Sequence, residues 1–245
     1  MTASAPPGWR LRHHESLAST SDLCITLAQA GEPARLAVSA ARQTQARGSR
    51  GRSWQTLPGN LALSVLLRPG GPAAHAGQWA LLAAVALAEA IESAAPGTAP
   101  RVKWPNDVLL GGAKAGGILI DTALDGAGGL DWLVIGFGAN LAAAPDLPRA
   151  VAVVPGAPDP AVVAAALLGR LDHWDRVSLL DGFAPVRRAW LDRGPPPGSP
   201  LRVRWGTADL GGAFAGLGDD GALLLQSGGR VRALPTGEVL HWDGG

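Results

Sequence analysis

Residues 101–141 read "RVKWPNDVLLGGAKAGGILIDTALDGAGGLDWLVIGFGANL". Four strand-like runs, "RVKW", "DVLL", "AGGILIDTAL" and "DWLVIGFGANL", follow one another across Gly-rich or Pro-Asn turns, with no helical period between them. Parallel neighbours need a long crossover, usually a helix, whereas antiparallel ones join through short turns. The stretch therefore predicts an α/β (α+β) protein with a mixed or antiparallel sheet, not a doubly wound one.

Upstream, a strand is expected around Leu11 to Glu15. "STSD" (19–22) then offers a hydroxyl cap with an acid three positions on, opening the short helix "LCITLAQAG" that Gly31 closes. "RLAVSAA" (35–41) and "NLALSVLLRP" (60–69) read as strands, the second ended by proline. A long helix is expected from about His75 to Ala94, stopped by Pro96 and Gly97.

Downstream, the helical period returns from about Asp159 to Leu191. "GPPPGSP" (194–200) has the composition of a semi-rigid linker. Beyond it "LRVRW", "GGAFAGL", "GALLLQ" and "RVRAL" are short strands between tight turns, a small β-barrel or sandwich. The expected division is residues 1–194 and 195–245.

The chain has 245 residues, enough for a sizeable core, and balances 21 Lys plus Arg against 20 Asp plus Glu. That near-neutrality argues against a general field for nucleic acid or an anionic membrane, so any anion site must be local. The single cysteine, Cys24, excludes a disulfide framework and suits a reducing, cytoplasmic compartment. The N-terminus lacks an apolar secretory core, and the longest apolar run, Trp79 to Ala88, reads as a buried helix too short to cross a bilayer.

Against this background "QTQARGSRGRSW" (43–54) stands out, with three arginines and no acid between two strands. Gly48 and Gly51 let the backbone approach a ligand, and Arg47, Arg50 and Arg52 supply forked donors matched to phosphate or carboxylate. A solvated loop or an RGG-like RNA segment is the competing reading. "KWPND" (103–107) is a stiff turn presenting Lys103, Asn106 and Asp107, with Asp107 a candidate Mg²⁺ ligand. In "AKAGGILID" (113–121) Lys114 stands at the mouth of a strand, ahead of the bare backbone of Gly116 and Gly117.

These blocks, in order and followed by "VIGFGANL" (134–141), resemble the biotin protein ligase family, whose pattern runs as a Gly/Arg-rich loop ending in Trp, then "PxGNL", "KWPND", "KxxGIL" and "GxGxN". The resemblance covers about residues 15 to 240. It implies a catalytic domain like that of class II aminoacyl-tRNA synthetases plus an SH3-like C-terminal barrel. It also implies a cytoplasmic ligase that uses ATP, with Mg²⁺, to turn biotin into biotinyl-5′-AMP. Biotin then passes to a lysine of a biotin carboxyl carrier protein.

By the same resemblance Lys114 and Arg47 stand at the reacting carboxylate and phosphate. Ser19, Thr20 and Gln43 match biotin-bonding positions, with Gly48, Gly116 and Gly117 as backbone wall. Arg50, Arg52, Trp54, Lys103, Asn106 and Asn140 match positions around ATP. The catalytic pattern begins by residue 15, which implies the monofunctional type without an operator-binding domain; whether the chain is a monomer or a homodimer stays open. One departure matters: Ser49 takes the place of an arginine in the family's loop, which implies faster loss of the adenylate unless Arg50 or Arg42 compensates. The alternatives are a lipoate or octanoate ligase or transferase of the same fold, and a non-catalytic RNA-binding module using the arginines.

Overall fold

The computed structural model describes residues 5–147 and 151–242. Strands β1 (Arg10–Leu17), β2 (Leu36–Gln43), β3 (Leu61–Leu67), β4 (Arg101–Lys103), β5 (Asp107–Leu110), β6 (Ala113–Leu124) and β7 (Leu130–Ala139) form one seven-stranded sheet. Its order is β1-β2-β3-β7-β6-β5-β4. Only β1 and β2 pair in parallel, joined through helix α1 (Thr20–Gln29). The rest is antiparallel, as the unbroken run of strands at 101–141 predicts.

Alternation along the strands decides what each face does. On β3, Leu61, Leu63, Val65 and Leu67 join Ile135 and Phe137 of β7 in the main core. That face is covered by α2 (Ala76–Ala94) and α3 (Pro160–Asp181), with α4 (Ala184–Arg193) beyond them. Helix residues Leu81 to Ala88 are all buried, so the run from 73 to 94, although apolar and long enough to span a bilayer, packs inside the fold. On the opposite face α1 covers one end through Cys24 and Ala28 against Leu36, Val38, Leu66 and Val134. The remainder of that face stays open, and there Gly117 of β6 and Gly136 and Gly138 of β7 lie.

The helical region expected over 159–191 is two helices: Gly182 at φ +73 breaks it where no side-chained residue is comfortable. Asp159 caps α3 by accepting from the Ala161 amide at 2.8 Å. At α1 Ser19 accepts from the Asp22 amide at 3.2 Å, but Asp22 does not reciprocate to the cap backbone; its carboxylate binds Arg47.

Strands β8 (Pro200–Trp205), β9 (Ala208–Leu217), β10 (Leu223–Ser227), β11 (Arg230–Leu234) and β12 (Glu238–Trp242) form a second, antiparallel sheet, ordered β11-β10-β9-β8-β12. The sequence reading missed β12, "EVLHW", because five residues after a Pro-Thr-Gly turn carry little periodicity. "GPPPGSP" is not a free spacer. Pro195 is buried, the Gly198 amide donates to Phe214 O, and the Phe214 amide donates to Ser199 O. Phe214, Leu223, Val239 and Trp242 belong to the same hydrophobic cluster as Trp104 and Trp190, so the core runs from one sheet to the other.

Candidate functional site

The open face of the large sheet is floored by backbone. Gly136 and Gly138 alternate on β7, and Gly117 lies directly opposite Gly138 on β6. A Cβ at Gly136 would stand 2.6 Å from Ser21 Oγ, and one at Gly138 only 2.5 Å from the Trp54 indole. One at Gly117 would stand 3.0 Å from Lys114 Nζ. The glycines are therefore what lets Trp54 and the Lys114 ammonium lie on the strands. Gly138→Ala is expected to push the indole away and cost about 1–3 kcal/mol of stability; an unchanged thermal unfolding midpoint would contradict this packing.

Lys114 is fixed by charge. Its ammonium binds Asp107 Oδ1, while Lys103 Nζ binds Oδ2 at 3.2 Å. Burial works against the Asp107 charge, but the two lysines outweigh it and hold the carboxyl below the usual range. Lys114 also lies 5.6 Å from the Trp54 ring centroid, a cation–π distance. "KWPND" and "AKAGG" thus meet because β5 pairs with β6, bringing Lys103, Asp107 and Lys114 together.

Both Asp107 oxygens are already bonded to ammonium groups, so it stands here as the counter-charge of two lysines. Taking a metal would require one lysine to leave. No cluster of three or more His, Cys, Asp or Glu suited to a metal occurs among the described residues. Mg²⁺ fits this site only as a companion of a phosphate substrate, which supplies most of its oxygen ligands.

The Arg/Gly loop closes over the floor. Arg47 lies between Asp22, at 2.7 Å from Nε, and Asp121, at 2.8 Å from Nη2. Arg50 and Arg52 both reach Glu238 of β12, at 2.5 and 2.8 Å. Partial burial disfavours the Glu238 charge, yet these arginines pull its carboxyl below its ordinary value. Arg50 takes left-handed φ/ψ of 60° and 39°, a conformation that costs a side-chained residue about 1–2 kcal/mol. Ser49 sustains the turn: its carbonyl and hydroxyl accept from Arg52 Nε at 3.2 Å and Nη2 at 3.0 Å.

Ser19, Thr20, Gln43, Arg47, Gly48, Asn106, Lys114 and Gly117 line a narrow groove on this floor. Its inner end is a hydroxyl ladder. Gln43 Oε1 accepts from the Thr20 amide at 2.7 Å, Thr20 Oγ1 lies 2.7 Å from Ser64 Oγ, and Ser64 Oγ lies 3.0 Å from Ser21 Oγ. A wider cleft of about 410 Å³ adjoins it, lined by Arg52, Trp54, Lys114 and Asn140 with Pro145, Leu147 and Val151. Two buried polar atoms at this cleft, Trp54 Nε1 and Asn140 Oδ1, have no hydrogen-bond partner among the described residues. Unsatisfied buried groups are costly, and a bound ligand is one way to satisfy them.

Most sequence-picked residues thus converge. Gly116 is the exception: on β6 it sits out of phase with Gly117, and a Cβ there would meet Gly138 O and Leu87 at 3.1 Å, so it serves close packing beneath the floor. Asn106 spends its amide tying its turn to Ile118 O at 2.6 Å. Sequence reading missed Ser64, Asp121, Glu238 and Asn60. Asn60 Oδ1 accepts from the amides of Leu141, Ala142 and Ala143, shaping the loop beside the cleft. Ser64 carried a local signal, a lone hydroxyl in "LALSVLL", and Asn60 lies in the "PGNL" stretch of the family pattern; Asp121 and Glu238 carried none.

The sequence profile of the biotin/lipoate A/B protein ligase family matches residues 15–140. A Paracoccus denitrificans biotin–[acetyl-CoA-carboxylase] ligase is 40% identical over 216 residues, covering 82% of this chain and 88% of that protein. Among solved structures, the Aquifex aeolicus biotin protein ligase in complex with biotin and ATP superimposes with a TM-score of 0.79 at 23% identity, covering 94% of this chain and 97% of that one. The Leishmania major biotin protein ligase in complex with biotinyl-5-AMP gives 0.59 at 26% identity, over 97% of this chain and all of the other. With its motifs carried on the matching strands and loop, the chain belongs to the biotin/lipoate A/B protein ligase family.

Proposed function

We propose that the chain is an ATP-dependent biotin protein ligase, acting on biotin, MgATP and a biotin carboxyl carrier domain. The observation that carries this reading is the place of Lys114, which lines both the narrow groove and the wider cleft. Two substrates held in those spaces would meet at one ammonium. The 40% identical relative supports biotin as the acid.

In the first step a biotin carboxylate oxygen bonds to the α-phosphorus of ATP and the bond to pyrophosphate breaks. In the second, the acceptor lysine's amine attacks the mixed anhydride's carbonyl, giving an amide and AMP and losing a proton. Two anions must approach in the first step, and charge builds on the α-phosphoryl oxygens. Preorganised cations stabilise that charge without reorganising. In this reading Lys114 and Arg47 serve the reacting centre, Arg50 and Arg52 face the phosphates, and Ser19, Thr20 and Gln43 bond the biotin head. Trp54, Lys103 and Asn140 lie beside the nucleotide. The arginines' carboxylate partners argue against a solvated RNA-binding loop. The proposed setting is cytoplasmic, in keeping with a buried, unpaired Cys24 whose thiol burial pushes up to about 12.

Pyrophosphate release measured with biotin and with lipoate tests the reading: release should depend on biotin, and release with lipoate alone would transfer the assignment to the lipoate branch. Ser49 supplies a further expected result. A guanidinium in its place would add a charge-assisted hydrogen bond worth about 1.5–3 kcal/mol, or roughly tenfold to a hundredfold in adenylate release. Ser49→Arg should therefore release biotinyl-5′-AMP more slowly and label bystander lysines less. Equal release and equally clean labelling would remove Ser49 from the account.

A further inference from the structure

The groove wall contains Arg47, but neither carboxylate bonded to it lines that groove. Asp121 accepts end-on from both prongs, Nη1 at 3.3 Å and Nη2 at 2.8 Å, while Asp22 takes Nε from the side. Three of the guanidinium's five N–H donors are thereby spent on acids outside the groove, leaving two. A two-pronged bond fixes the plane of a guanidinium as well as its position. Asp121 can provide it because β6 alternates: Gly117, Leu119 and Asp121 share the open face, so the strand that forms the floor also carries the anchor.

The two acids differ in how firmly they are held. Asp121 projects from β6 where that strand pairs with β7, and its side chain is 25% exposed, whereas Asp22, on the first turn of α1, is 52% exposed. Partial burial disfavours the Arg47 charge, but Asp121 first and Asp22 after it outweigh this and raise its pKa. The cation is secured in its charged form.

We propose that Asp121 is a positioning residue for the ligase reaction, acting through Arg47 by holding the guanidinium fork in the groove wall at the angle that the reacting acid and phosphate require. Arg47 is 37% exposed, and ion pairs at such exposure contribute little to stability. The role therefore belongs to geometry at the reacting centre, where a displacement of about 1 Å can cost about a hundredfold in rate.

The inference rests on the biotin ligase reading, and a double-mutant cycle on the full chain separates the two. Biotin-dependent pyrophosphate release is measured for wild type, Asp121→Asn, Arg47→Ala and the double variant, with thermal unfolding of each. Asp121→Asn should lower kcat about 10- to 100-fold, move the unfolding midpoint little, and have no further effect once Arg47 is alanine. Asp121→Glu, which keeps the carboxylate, should recover part of the loss and serves as the second variant should Asp121→Asn fold poorly. Equal effects of Asp121→Asn in both backgrounds, or a fully active folded Asp121→Asn, would overturn the positioning role alone. A wild type that releases no pyrophosphate with biotin would overturn the parent reading and this one together.

Discussion

Lys114→Ala should leave the fold intact and lower adenylate formation by about two to three orders of magnitude, the scale for losing one preorganised transition-state donor. Both halves follow from the ion-pair arrangement. Removing Lys114 does not orphan the Asp107 carboxylate, because Lys103 remains on its other oxygen at 3.2 Å. A buried charge with no partner would cost several kcal/mol, and the second lysine prevents that. Among the described residues, Lys114 is the cation that stands over the Trp54 ring, with its ammonium against Gly117. The expected signature is an unchanged unfolding midpoint with a collapsed kcat; near-normal pyrophosphate release would take Lys114 out of the chemistry.

Ending the chain near Pro195 should abolish more than transfer to the acceptor. Removing the second sheet strips Phe214 from Trp190, whose rings lie 6.3 Å apart, and opens the bond from Trp104 Nε1 to Gly221 O at 3.2 Å. It also takes Glu238 from Arg50 and Arg52. Adenylation by the truncated chain should fall by about a hundredfold or more, since loop order and core packing are lost together. Glu238→Gln separates the two causes, because it keeps the core and removes only the counter-charge. Two partly exposed pairs are worth about 1 kcal/mol together, so KM for ATP should rise about fivefold with little change in unfolding. A soluble, folded truncation with full activity would show the second sheet to be dispensable.

That linkage marks where sequence reading stops. The sheet class was legible at 101–141, because strands joined by turns of two to five residues leave no room for crossovers. The local blocks were legible too, since glycine beside lysine or arginine is an unusual local composition with a physical use. Residues that act from a distance in sequence were not legible: Asp121 lies 74 positions from Arg47, and Glu238 lies 186 from Arg52. An acid in a strand looks the same whether it faces water or an arginine from another element. The same limit made "GPPPGSP" look like a spacer, because proline content predicts stiffness and says nothing of what the segment docks against.

The central claim is that the cations gathered on a glycine floor activate biotin for transfer to a protein lysine. Incubating the full chain with biotin, MgATP and a biotin carboxyl carrier domain, then weighing the carrier by mass spectrometry, tests it most directly. The account predicts a gain of one biotinyl group, mapped to a single carrier lysine, that requires ATP and is lost with Lys114→Ala. A carrier of unchanged mass in the presence of folded wild-type enzyme, or equal gain with Lys114→Ala, would contradict it.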